Sequence, residues 1–103
     1  MKYDFKPPKK QGKYTPCLND KCFFTETPSE YCNVHHVFFG KNRKKSEIWG
    51  MKVYLKPEWH QNELYSAHKN IETDLKLKQY AQEQFEAKYD HDFFIEIFGK
   101  NYL

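Results

Sequence analysis

Five histidines stand at positions 35, 36, 60, 68 and 91, and the first two are adjacent, in the stretch EYCNVHHVFFGKNRKKSEIWG that runs from residue 30 to 50. Imidazole is the commonest transition-metal ligand and the side chain best placed to take a proton near neutral pH. A cationic block, Lys41, Arg43, Lys44 and Lys45, follows the pair directly. Phosphodiester hydrolysis asks for these properties together: a base to deprotonate water, and a divalent cation against the charge that develops on the phosphate oxygens. Successive side chains on a strand point to opposite faces, so one histidine of the pair can hold a cation while its neighbour serves as base. His60 and His68 can supply further ligands. Their spacing is not the i, i+4 of a continuous helix, so that reading requires a break near Tyr65-Ser66. An isolated histidine pair is a weak motif, and it gains weight from the other histidines and the basic block around it. His91, in YDHD, has no assigned role.

The elements that must position these residues are legible in part. Short apolar pieces at Cys22 to Phe24 and Tyr31 to Val34, separated by turn signals at Asn19-Asp20 and Thr27-Pro28-Ser29, read as short strands or knuckle turns. GKNRKKSEIWG, bounded by Gly40 and Gly50, has no period that buries a face and reads as an exposed loop with about one helical turn. In MKVYL, Met51, Val53 and Leu55 alternate with Lys52 and Tyr54, the period of a half-buried strand. Pro57 suits a first helical turn, so a helix is expected from there. Ile71, Leu75, Ala81, Phe85 and Tyr89, with Leu77 beside them, predict a helix over about 71–89. Asp90 or Asp92 can cap a final short helix through FFIEIF, and Gly99 stands where a left-handed C-cap is wanted.

A chain of 103 residues has room for one domain with a modest core. Aromatic residues make up 18% of it, which predicts a core rich in Phe and Tyr. Residues 1–16, with prolines, a glycine and several lysines, read as a basic arm unable to hold a fold alone, which leaves 17–103 as the folded domain. The formal net charge is +3, but the cations cluster in the first half and the acids after residue 58, an asymmetry that suits an anionic partner such as nucleic acid. No long apolar run and no apolar leader are present, so a soluble, cytoplasmic protein without membrane contact is expected. Three cysteines, Cys17, Cys22 and Cys32, read as free thiols or metal ligands rather than a disulfide framework.

The combination of NVHHVFFGKNRKKSEIWG, VYLKPEWHQN, AHKN and the terminal IFGKNYL resembles the small phage nucleases of the HNH, or ββα-metal, class, and more narrowly the recombination-enhancement, RecA-dependent nuclease domains. The likeness covers about residues 22–103. It implies an α+β fold with a small ββα-metal core and additional C-terminal helices, binding one divalent ion: Mg2+, Mn2+ or a transition metal such as Zn2+ or Ni2+. It further implies a phage-encoded DNA endonuclease acting in recombination or DNA processing in the host cytoplasm, with DNA and a recombinase filament as candidate partners. On the same likeness His36 matches the general base and His35 the metal side, an assignment that can be reversed, while His60 and His68 complete the metal site. Lys41, Asn42, Arg43, Lys44 and Lys45 would then lie near the bound strand. The class also uses a middle asparagine, for which Asn42 and Asn62 are the candidates.

One departure bears on function. Relatives often read Leu-Cys-x-x-His-His and carry an upstream Cys-x-x-Cys that forms a zinc knuckle, whereas this chain has Lys56 and Trp59 in the matching places, and Cys22 is followed by Phe-Phe-Thr. Packing by Phe23, Phe24 and Trp59 can staple the turn instead. Two other readings follow: a catalytically impaired nucleic-acid-binding module, or a structural-zinc adaptor using the three cysteines and one histidine.

Overall fold

The computed structural model describes residues 4–103. The alternating run at 51–55 pairs with the strand that carries the histidines. β1 (Asn33–His36) and β2 (Lys52–Leu55) are antiparallel, with Asn33 opposite Leu55, Val34 opposite Tyr54, His35 opposite Val53 and His36 opposite Lys52. Alternation therefore puts Asn33, His35, Val53 and Leu55 on one face of the ribbon and Val34, His36, Lys52 and Tyr54 on the other. A two-stranded ribbon is marginal by itself, so one face must be covered. Val53 and Leu55 are fully buried in an apolar cluster with Leu77, Ala81, Phe85 and Phe94 from the C-terminal helices. The result is a small α+β domain.

The connection between the strands departs from the expected loop. It holds a helix, α1 (Arg43–Trp49), in which Ser46 and Trp49 face inward. Ser46 Oγ donates to Phe38 O at 2.6 Å and accepts from Phe38 N at 3.1 Å, while the Trp49 ring meets Phe85, Tyr89 and Phe93 edge-on. An inward face of one serine and one tryptophan is too sparse to register as an apolar period. Gly50 ends α1 at φ +72°, and a Cβ there would stand 3.2 Å from Pro16 O, so both conformation and space call for glycine.

The helix expected from Pro57 is a single π turn, Glu58–Asn62. α2 (Ile71–Lys88) and α3 (His91–Phe98) match the predicted helices closely; α3 has the expected cap, Asp90 Oδ1 accepting from Phe93 N at 2.7 Å, and α2 has a cap of the same kind in Asn70, whose Oδ1 accepts from Thr73 N at 2.9 Å. The inward face of α2 differs from the expected one. Leu77, Ala81 and Phe85 are buried together with Gln82, whereas Ile71 is 82% exposed and Leu75 is also exposed. Gln82 is tolerated there because its amide bonds Glu86, Asn101 and the backbone of Tyr102, fastening the C-terminal segment to the helix.

Residues 4–16 lie against the domain rather than extending as an arm; residues 1–3 of that segment fall outside the described residues. Phe5 packs on Tyr89 and Phe93 at ring distances of 5.3 and 5.2 Å, and the Thr15 hydroxyl donates to Glu47 O. Composition cannot reveal such docking, because a few anchors suffice once α1, α2 and α3 supply the partners. Among the described residues no helix is long and apolar enough to cross a membrane.

Candidate metal centre

Each histidine of the group reaches the site from a different element. His35 points from β1 into the core and is 1% exposed. His60 sits in the π turn, anchored by its neighbour Trp59, whose ring stacks on Phe24 at 4.3 Å and meets Tyr65 at 4.3 Å. Phe23 in turn packs on Phe24 and Tyr80, so these aromatic rings join the knuckle turn to the π turn and to α2. After the turn the chain reverses: Ala67 N donates to Trp59 O at 2.7 Å and His68 N to His60 O at 3.1 Å. These backbone bonds set His60 and His68 side by side, with their Nε2 atoms 3.1 Å apart. The break anticipated near Tyr65-Ser66 falls inside that reversal.

Ligand atoms of His35, His60 and His68 all lie within 4.8 Å of one another. In a tetrahedral zinc site with Zn–N bonds of about 2.0–2.1 Å the nitrogens are roughly 3.3 Å apart, so a small inward closure completes the geometry. The strongest test of fit is His35. Both its ring nitrogens are buried without a hydrogen-bond partner, a costly arrangement that an ion on one nitrogen would relieve. Burial holds the His35 pKa down at about 3, and the neighbouring His60 and His68 push in the same direction. Burial, then His68 and His36, also lowers His60. Neutral imidazole is the form that binds a metal. His68 is exposed, which leaves the outer side open for a further ligand.

Asn33 is the residue that sequence reasoning missed. Its Nδ2 lies 3.1 Å from His60 Nδ1. As placed, the amide nitrogen donates to an Nδ1 lone pair; with an ion on Nε2, Nδ1 carries the proton, and a 180° turn of the amide brings its oxygen round to accept it, which fixes tautomer and ring orientation together. The signal was available, since Asn33 lies two residues before His35 and shares its strand face. The two asparagines considered instead do other things. Asn42 is buried and donates to Phe98 O at 3.2 Å, tying the start of α1 to the end of α3, so it is not free to meet a nucleic acid. Asn62 is exposed, and its carbonyl accepts from Lys69 Nζ.

His36 does not join the other three. It faces the opposite side of the ribbon, where its Nε2 lies 2.9 Å from Glu47 Oε1. Lys52 Nζ, buried, donates to Glu47 Oε2 at 2.8 Å and to Thr15 O at 2.6 Å. Burial pushes the Glu47 carboxyl up, but hydrogen bonds from Lys52 and His36 outweigh it and hold the pKa at about 2. A carboxylate so fixed orients the imidazole and leaves Nδ1 as its free nitrogen. Lys41, Arg43, Lys44 and Lys45 are exposed in the turn before α1 and in its first residues, and none forms an ion pair among the described residues. The cysteines are free thiols: Cys22 Sγ accepts from Lys56 N at 3.3 Å and Cys32 Sγ donates to Thr27 O and Pro28 O. Among the described residues, none of them belongs to a metal-ligand group.

Fold and site together define a small α+β domain with a three-histidine candidate metal centre. Comparison with protein-family models, with curated proteins and with solved structures finds no match.

Proposed function

We propose that the chain is a metal-dependent DNA endonuclease with a ββα-metal core, in which His35, His60 and His68 hold the ion and His36 is the general base. One observation carries the reading: a buried, unpartnered His35 converges with two more histidines, and the next residue is a histidine braced by a carboxylate. An all-imidazole set suits zinc, nickel or cobalt better than magnesium or manganese, which prefer oxygen ligands. A bound divalent ion supplies positive charge against the phosphate oxygens during hydrolysis. His36, with Nε2–H given to Glu47, takes a proton from water at Nδ1. His36 is the last residue of β1, and in this reading the phosphodiester would lie across that strand end, between the trio and the base. The exposed cations of the α1 region neutralise neighbouring phosphates without reading bases.

Nicking of supercoiled plasmid with zinc, nickel, manganese and magnesium tests this. Wild type should nick with at least one transition metal, and His36→Ala should lose roughly 10²–10⁴-fold in rate. Equal rates in both would remove His36 from the mechanism. DNA binding that survives a chelator, with no cleavage under any metal, would instead favour the impaired binding module. A second expectation concerns salt. Replacing Lys41, Arg43, Lys44 and Lys45 with Gln should reduce the slope of log affinity against log salt on duplex DNA by roughly 3 to 4, with little change in sequence preference. An unchanged slope in fluorescence anisotropy would place the DNA on another face.

A further inference from the structure

The ribbon face opposite the three histidines opens into a cavity of about 310 Å³. Val34, His36, Lys52 and Tyr54 form its floor as two cross-strand pairs, and the segment around Gln11 and Tyr14 forms its outer wall. The charges inside are already matched, since Glu47 accepts from Lys52 at 2.8 Å and lies 2.9 Å from His36. Such a cavity offers a phosphate or carboxylate no free cation. It offers instead two tyrosine rings, an apolar Val34 surface, and the Gln11 side-chain amide, which has no partner among the described residues. A carboxamide presents a donor beside an acceptor, the pattern that pairs with the edge of a nucleobase. Aromatic side chains stack on bases whatever the sequence. The volume suits one nucleobase with part of its sugar.

We infer that this cavity receives an unpaired nucleobase next to the phosphate presented to His36, so that the preferred substrate is single-stranded or locally unpaired DNA. The inference rests on the endonuclease reading for its substrate class. His36 lines the cavity, so a base seated there carries its own phosphate to the strand end, where His35 and His36 diverge to opposite faces. A base held in a paired stack cannot enter, because seating it requires unstacking, and that step costs least when the strand is already single.

Val34→Phe fills the cavity from an exposed strand position and leaves His36, Glu47 and Lys52 in place. Anisotropy with a short single-stranded oligonucleotide and its duplex, in chelator so that nothing is cut, reads the effect without catalysis. The variant should bind the single strand roughly tenfold to a hundredfold more weakly than wild type and the duplex equally well. Tyr54→Ala, which removes one ring of the floor without filling the space, should weaken single-strand binding in the same direction. Unchanged single-strand affinity in both variants overturns the inference, even where His36-dependent nicking of plasmid is intact. Selective loss of single-strand binding in protein that cuts nothing keeps the base-binding cavity and removes the endonuclease reading.

Discussion

Metal-free protein given zinc or cobalt at about 100 times the dissociation constant should melt roughly 10–20 °C higher than the same protein in chelator. The figure follows from mass action, which contributes about 2.7 kcal/mol at that excess, and from the several degrees that each kcal/mol is worth in a domain of this size. The physical source is the trio itself. His35 has two buried nitrogens without partners, so ion binding replaces an unfavourable arrangement rather than competing with an existing hydrogen bond. His68→Ala removes the exposed ligand without opening the core and should abolish most of the shift. Asn33→Ala leaves all three ligands but frees the His60 ring, and should weaken affinity by roughly 10–100-fold. His91→Ala serves as the control, because that ring bonds Glu86 at 2.6 Å, outside the ligand group. Differential scanning fluorimetry across metal concentrations checks the series, and a shift that survives in His68→Ala would place the ion elsewhere.

The metal-free fold should also lose about 2 kcal/mol between pH 7 and pH 5 through His35 alone, a change that His35→Leu should remove. The sign is set by which state takes the proton. An unfolded histidine titrates near 6.5, whereas the buried ring is held at about 3, so the unfolded chain binds the proton first as pH falls. Stability from this group is therefore complete above pH 6.5 and is lost progressively down to about pH 3. His60, whose pKa is also lowered by burial, adds in the same direction. Glu47, held at about 2, acts only below the ordinary carboxylate range and leaves the window from pH 7 to 5 clear. His35→Leu also deletes two unsatisfied buried nitrogens, so the variant should be at least as stable as wild type without metal while failing to bind it. Urea titrations in chelator at both pH values measure this. An equal loss in wild type and His35→Leu would show that other groups carry the acid sensitivity.

Stability and metal binding thus pull apart at one residue, and the same division runs through what could be read in advance. Met51, Val53 and Leu55 declared a strand, and Asp90 and Gly99 marked the ends of the last helix, because alternation and capping are written in neighbouring residues. α1 stayed hidden because its inward face is a serine and a tryptophan, and a serine counts as inward only once the Phe38 backbone is there to bond it. Lys52 reads as a solvent-facing lysine until Glu47 and the Thr15 carbonyl bury it. Phe5 and Thr15 dock a segment whose composition alone predicts no fixed fold.

By itself, the sequence determined the strand at 51–55 and the two C-terminal helices, and it determined that two consecutive histidines on a strand must face opposite ways, since side-chain direction follows from backbone geometry one residue at a time. Only the tertiary structure decided which of the two turns toward His60 and His68, that Asn33 rather than Asn42 stands beside them, and that the other face carries a cavity braced by Glu47. Those outcomes depend on contacts between residues distant in the chain. The ribbon's buried face is chosen by where Leu77, Ala81 and Phe85 pack, and no local pattern around the histidines encodes that choice.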